Sequence, residues 1–410
     1  MKIRGAQSVP LREWNDWRWQ LRNALKSPRD LARAFALDRD ERAALAGGRL
    51  RLPVQITPYY AALAAVSPAI RRTVIPRPGE RWAARGERRD PLGERRHSPA
   101  PGVVHTYPDK ALLLVTDRCA VYCRYCTRAR LAGCGRSPMR GGSWRRALNY
   151  LAGAPAVRDV LISGGEPLVL SDERLDGMLR DLRRIRHVEI IRISTKIPAV
   201  LPQRITRDLA RVLKRHHPLW LSVHFVHPDE LTPETARACA RLADAGIPMC
   251  SQTVLLKGVN DDPATMKRLM TGLLRLRVKP YYLHQCDLAA GASRFRTPVR
   301  RGVEILRSLH GHTSGYAAPL FMIDTPGGGG KVPVSPDFVA GRAGGDLLLE
   351  NYRGETCRYP DFAQEQRRLA GARRSKLCAL RLNGATNGIR TRQGHSTAES
   401  PTCPDMRQPR

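Results

Sequence analysis

The sequence predicts an α/β fold, a full or partial barrel of parallel βα units behind a helical N-terminal region. Three observations carry this. Short apolar runs recur at 111–115, 159–163, 188–194, 219–223, 249–256, 279–284 and 321–323. Between them, apolar residues return at helical spacing over 171–185, 207–214, 233–245, 264–276 and 298–309, and such alternation argues for parallel strands joined by crossover helices. Each run also ends in polar or glycine residues. These are Thr116-Asp-Arg-Cys119, Ser163-Gly-Gly-Glu166, Ser194-Thr-Lys196, His224, Gln252, Gln285-Cys-Asp287 and Asp324-Thr-Pro-Gly-Gly-Gly-Gly-Lys331. In a parallel barrel such strand ends converge on one mouth.

Taken in order, residues 11–46 place Trp14, Trp17, Trp19, Leu21, Leu25, Leu31, Phe35 and Leu37 among charges in a helical pattern, with a cap expected at Ser27-Pro-Arg-Asp30. The tryptophans read as packing residues. A second helix is expected over 59–70. Residues 76–101, rich in Pro, Gly and Arg, read as an extended connector.

The 410 residues carry a formal charge of +33, which raises the question of a nucleic-acid partner. Arginine is scattered through every segment without the aromatic-interleaved basic motifs of the known modules, so nucleic acid is not expected. The field would still favour acidic small molecules such as phosphates. No apolar run is long enough to span a bilayer, and the first residues lack the apolar core of a secretory signal. A cytoplasmic protein is expected, and there ten cysteines point to metal binding rather than disulfides.

After the first strand run comes Cys119-Ala-Val-Tyr-Cys123-Arg-Tyr-Cys126. Three thiolates from one loop leave a four-ligand site one short, open to a further ligand. Half of a zinc site, or three buried apolar thiols, are the plainer readings. CxxxCxxC at a strand end resembles the radical S-adenosylmethionine enzymes, where an open cluster iron is chelated by that cofactor. One βα unit later, Gly164, Gly165 and Glu166 form the element that in those enzymes contacts the amino end of the methionyl group. Glycines there let backbone approach a ligand, and a carboxylate can receive an ammonium. Lys331 closes the run Gly327, Gly328, Gly329 and Gly330. A lone lysine is usually a solvated surface group, but at the end of a side-chain-free loop it can form a Schiff base with an aldehyde such as pyridoxal 5′-phosphate. A phosphate loop is excluded, since no GKS or GKT follows the glycines.

Over about residues 11–360 the chain resembles the lysine 2,3-aminomutase family. The likeness runs through Glu13-Trp-Asn-Asp-Trp17, His105-Thr-Tyr-Pro-Asp-Lys110, Leu113-Leu-Val-Thr-Asp-Arg-Cys119, Leu201-Pro-Gln-Arg-Ile-Thr206, Val254-Leu-Leu-Lys-Gly-Val-Asn-Asp261, Gly311-His-Thr-Ser-Gly-Tyr316 and the glycine run. It implies a partial (β/α) barrel of the radical SAM type holding a [4Fe–4S] cluster, S-adenosylmethionine and pyridoxal phosphate in one cavity. By position, Cys119, Cys123 and Cys126 match the cluster ligands and Lys331 the lysine that holds pyridoxal phosphate. Arg128 matches the arginine for the substrate carboxylate, and Asp287 and Asp324 the pair for the ε-ammonium of lysine. Gly164, Gly165, Glu166, Gln252 and Gly327 to Gly330 are the remaining cofactor-binding candidates. The implied reaction is radical interconversion of L-lysine and β-lysine by 2,3-amino migration, begun when a 5′-deoxyadenosyl radical takes a hydrogen from the β-carbon. An electron donor such as flavodoxin or ferredoxin and a homo-oligomer are implied as well.

The chain departs from the family at Thr106 and Lys110, where arginines are common, and at Tyr125, where a histidine often stands. Cys357, Cys378 and Cys403 lie too far apart for the zinc-binding tail of fuller members, so no such zinc is expected. The resemblance ends near residue 365. The expected organisation is 1–104 helical region and connector, 105–331 barrel core, 332–368 C-terminal extension and 369–410 disordered tail. Three readings compete: a mutase for another cationic amino acid such as arginine, a lysine-modifying relative linked to translation elongation factor P, and a basic iron–sulfur or zinc protein that binds nucleic acid.

Overall fold

The structure is a computed structural model that describes residues 9–47, 50–135 and 137–361. The N-terminal region consists of short helices: α1 (Leu11–Trp14), α2 (Trp17–Arg22), α3 (Pro28–Ala34), α4 (Arg39–Ala46), α5 (Pro58–Val66) and α6 (Pro68–Val74). Ser27 and Asp30 form the expected reciprocal cap of α3. The helix expected over 59–70 is two helices instead. Pro68 lacks the N–H that would continue α5, and Ser67 ends one helix and caps the next.

Nine strands then form one sheet in sequence order. They are β1 (Val103–Tyr107), β2 (Lys110–Leu114), β3 (Asp159–Ser163), β4 (Ile190–Thr195), β5 (Leu219–His224), β6 (Met249–Leu255), β7 (Lys279–Gln285), β8 (Leu320–Asp324) and β9 (Lys331–Pro333). Strands β2 to β8 are parallel; β1 and β9 are antiparallel edges. The crossovers carry α7 (Ser143–Ala152), α8 (Asp172–Arg183), α9 (Ile197–Val200) with α10 (Arg207–Lys214), α11 (Pro233–Asp244), α12 (Pro263–Arg275) and α13 (Val299–Leu309). The seven predicted runs are β2 to β8, each within two residues of its predicted ends.

Alternate strand residues explain what the sheet encloses. Val160, Ile162, Ile191, Ile193, Leu219, Leu221 and Val223 are fully buried, in one core with Leu175, Leu179, Leu209 and Leu242 of the helices. The residues between them include polar pairs: Arg192 Nε donates to Asp159 Oδ1 at 2.9 Å, and Ser194 Oγ lies 2.8 Å from His224 Nε2. One face of the sheet therefore carries the core and the other a polar lining. The backbone N–H of Lys331 in β9 donates to the hydroxyl of Tyr107 in β1 at 2.8 Å. The two edges of the sheet thus meet through a side chain, which makes the expected partial barrel a curled sheet.

Residues 337–361 form a separate unit, a three-stranded antiparallel sheet of β10 (Val339–Ala343), β11 (Asp346–Glu350) and β12 (Thr356–Tyr359). The tail 369–410, with Cys378 and Cys403, lies outside the described residues.

Candidate active site

The cysteine loop leaves the end of β2 and is held by the helical region. Arg124 N donates to Thr73 O at 2.8 Å, Tyr122 N to Gln55 O at 2.9 Å, and Gln55 Nε2 to Cys119 O. The Arg124 side chain is buried, bonded to Leu52 O and Pro53 O at 3.0 Å and paired with Glu80 at 2.6 Å. Burial pushes the thiols of Cys119 and Cys123 up and that of Cys126 up to about 11, so without a metal they are neutral. Among the described residues, no three His, Cys, Asp or Glu converge as ligands of one metal ion. The chemistry of the donor set, three cysteine thiols from one loop, is that of a cluster with several irons. Tyr125 packs edge-on against Phe295, centroids 5.9 Å apart.

Gly164 and Gly165 sit against that loop. Gly165 N donates to Thr116 O at 2.5 Å and Glu166 N to Arg118 O at 2.7 Å. A Cβ on Gly164, at φ +125°, would lie 2.5 Å from Thr116 O, and one on Gly165 2.4 Å from Arg118 O. The close approach that demands glycine is thus to the cysteine loop itself. Glu166 is buried and already bonded: it accepts from Thr195 Oγ1 and Lys196 N at 2.7 Å and Leu168 N at 3.1 Å. Burial outweighs those bonds and raises its carboxyl to about 7. Gln252, partly exposed on β6, lies between His224 of β5 and Tyr282 of β7.

At the far edge of the sheet, Lys331 Nζ is held by both oxygens of Asp324, at 2.6 and 2.8 Å. His284 Nδ1 lies 3.2 Å from Asp324 Oδ2. Burial pushes the Asp324 carboxyl up, but the His284 hydrogen bond and the Lys331 ammonium outweigh it and hold it at about 2. Asp287, at the end of β7, shifts the other way. Burial and then the Asp324 charge raise it to about 7, against the pull of Lys331 and Arg128. Lys331, Asp324, Asp287 and Arg128, predicted from three separate strand ends, therefore share one electrostatic environment.

Arg128 Nε donates to Glu94 Oε1 at 2.7 Å and Nη1 to Ser163 Oγ at 3.2 Å. Arg130 Nη2 takes the other Glu94 oxygen at 2.7 Å and Asp90 at 3.3 Å. Glu94, Asp90 and His284 were absent from the predicted site.

The source of Asp90 and Glu94 overturns the extended connector: residues 78–97 form successive tight turns laid across the mouth. Arg88 N donates to Leu288 O at 2.8 Å, Ala290 N to Arg88 O at 3.0 Å, and Gly291 N to Glu87 Oε2 at 2.9 Å. Gly327 N donates to Pro91 O at 2.8 Å. A Cβ on Gly93 would lie 2.5 Å from Gly327 O, and one on Gly328 2.5 Å from His97 Nε2. Within the glycine run, Gly328 is thus bare to seat His97 and Leu92. Gly329 faces Thr325 Oγ1, and Gly330 faces the Tyr107 ring at 3.4 Å. Lys110 Nζ stands 4.7 Å over that ring and 3.3 Å from Asp109; Thr106 is partly exposed on β1.

Family models described as lysine-2,3-aminomutase and as the radical SAM superfamily match residues 306–392 and 113–270. The former match runs past residue 365, where the sequence reading had ended the resemblance. The L-lysine 2,3-aminomutases of Fusobacterium nucleatum and Clostridium subterminale are 47% and 46% identical, covering 85% of this chain and 83% and 85% of theirs. The glutamate 2,3-aminomutase of Clostridioides difficile is 35% identical over 85% of this chain and 83% of its own. A solved radical SAM methyltransferase from Sphaerobacter thermophilus matches 54% of this chain and 67% of its own with TM-score 0.38 at 21% identity.

Proposed function

The chain belongs to the lysine 2,3-aminomutase family, and from that premise we propose that its barrel mouth holds L-lysine between Arg128 and the carboxylates of Asp287 and Asp324. The family places it among radical SAM isomerases that interconvert L-lysine and β-lysine with a [4Fe–4S] cluster, S-adenosylmethionine and pyridoxal 5′-phosphate. The residues present fit those groups. Cys119, Cys123 and Cys126 supply three thiols from one loop, Gly164 and Gly165 border it, and Lys331 offers an amine on Asp324 at the end of the glycine run. When bound, the groups supply one-electron chemistry and an aldehyde for the amine.

The chain's own residues bind, orient and manage charge. Arg128 has Nε and Nη1 engaged, while its Nη2 has no hydrogen-bond partner among the described residues; that donor suits the substrate carboxylate. Asp324, held at about 2, is a carboxylate in the free chain. It neutralises Lys331 in the free chain and passes to the substrate ε-ammonium once the Lys331 amine is engaged. Asp287, at about 7, takes or releases a proton near neutrality and is charged when the ammonium sits beside it. Two carboxylates select a second positive charge and disfavour glutamate.

The observation that carries this reading is the pairing of Lys331 with Asp324 beside Asp287, facing Arg128. Anaerobically reconstituted protein given lysine, S-adenosylmethionine, pyridoxal phosphate and a reductant should form β-lysine, detected by chromatography. No β-lysine, or turnover of arginine instead, overturns it. An electron donor such as flavodoxin or ferredoxin, a homo-oligomer and a cytoplasmic location belong to the same proposal. No helix among the described residues is long and apolar enough to cross a membrane.

A further inference from the structure

We infer that Glu94 is a positioning residue for substrate recognition, and that residues 86–97 form a strap fixing the substrate's carboxylate anchor relative to the loops that hold its amino groups. The inference rests on the role proposed above for Arg128.

The strap touches three loops that are far apart in sequence. It pairs with the loop after β7 through Arg88, Leu288 and Ala290, and with the glycine loop through Pro91 and Gly327. It meets the cysteine loop through Glu94, which takes Arg128 on one oxygen and Arg130 on the other. Those loops carry Asp287, Lys331 and Arg128. One short segment therefore links the loops that carry the carboxylate anchor, one of the two carboxylates for the ammonium and the cofactor lysine.

Glu94 has the means to fix Arg128. Its side chain is only 5% exposed, and both its bonds are 2.7 Å long. Asp90 stiffens the turn beneath it by accepting from Glu94 N at 3.1 Å and Arg95 N at 3.0 Å. A guanidinium held by Nε cannot rotate about its stem, so Nη2 keeps one direction. Such a preset donor removes an ordering cost from each binding event. The burial of Glu94 is balanced by two guanidinium groups, which keep it ionised below the usual carboxylate range despite desolvation.

The test measures equilibrium binding to the holoenzyme without turnover. The readout is the visible absorbance band of bound pyridoxal phosphate during titration with L-lysine and, separately, with 1,5-diaminopentane, which lacks the carboxylate. In Glu94→Gln and Glu94→Ala, lysine should bind roughly tenfold more weakly, the scale of one charge-assisted contact. Diaminopentane should bind as it does to the unaltered enzyme, and iron and pyridoxal phosphate content should not change. KM should rise while kcat moves little. Asp90→Asn, which loosens the turn but keeps Glu94, should fall between. If Glu94→Ala fails to hold its cofactors, the isosteric Glu94→Gln decides. Parallel weakening of both ligands, unchanged lysine binding, or tighter lysine binding each overturns the inference. Absence of lysine binding to the unaltered enzyme overturns the functional reading beneath it instead.

Discussion

The cysteine loop and the Lys331 end of the mouth are organised by opposite means. Around Cys119 to Cys126 the chain is held by buried backbone bonds to Gln55 and Thr73 and by the enclosed Arg124–Glu80 pair, and its thiols are kept neutral by burial. Around Lys331 the contacts are polar and charged: ammonium to Asp324, the His284 ring to Asp324, and Asp324 against Asp287. The first region is a fixed scaffold. The second has a balance of charges that any ligand redistributes. Rigidity at the proposed cluster loop and a shifting charge balance at the proposed substrate end is the division the difference teaches.

The largest effects should separate the two regions outright. Cys123→Ala should lose cluster iron and all measurable isomerase activity yet still bind pyridoxal phosphate. Lys331→Ala should show the reverse, with full iron content and no visible cofactor band; loss of both groups in either variant would mean the two ends are not independent. Next, Arg124→Ala removes one partner of a buried pair and should lower stability by about 3–5 kcal/mol, read as a reduced melting temperature. A drop of only a few tenths would show that the cysteine scaffold does not depend on that pair.

Smaller effects belong to the charged end. Asp324→Asn should raise KM for lysine about a hundredfold, by analogy with removal of one partner from a buried charge pair. It should also leave Lys331 without its counter-ion. The smallest effect is on pH. Asp287 is neutral below about 7 and charged above it, so KM for lysine should fall as pH rises through about 7, by about tenfold per unit on the acid side. Asp287→Asn should flatten that slope; an unchanged profile would assign it to another group.

Much of the fold was legible because period and punctuation are local. The runs that became β2 to β8 announce themselves by apolar residues between helical patterns, and residues 207–214 are the helix α10 as predicted. The edge strands β1 and β9 escaped, since five and three residues at a sheet margin carry little pattern. The strap escaped for a different reason. Its Pro, Gly and Arg content is that of a linker, and its order comes from Asp90 and Glu94 reaching arginines more than thirty residues away. The glycines at 164, 165 and 328 were legible as close approaches, but what approaches is protein backbone and His97.

By itself the sequence determined which chemical groups reach the mouth, because residue type and strand-end position are properties of the chain read in order. Only the tertiary structure decided how those groups are paired and charged. Asp287 and Asp324 are the same side chain at two neighbouring strand ends, yet one is raised to about 7 and the other held at about 2. The reason is that desolvation and Coulomb forces act through space, and only the folded sheet sets Lys331 and His284 against one carboxylate and not the other.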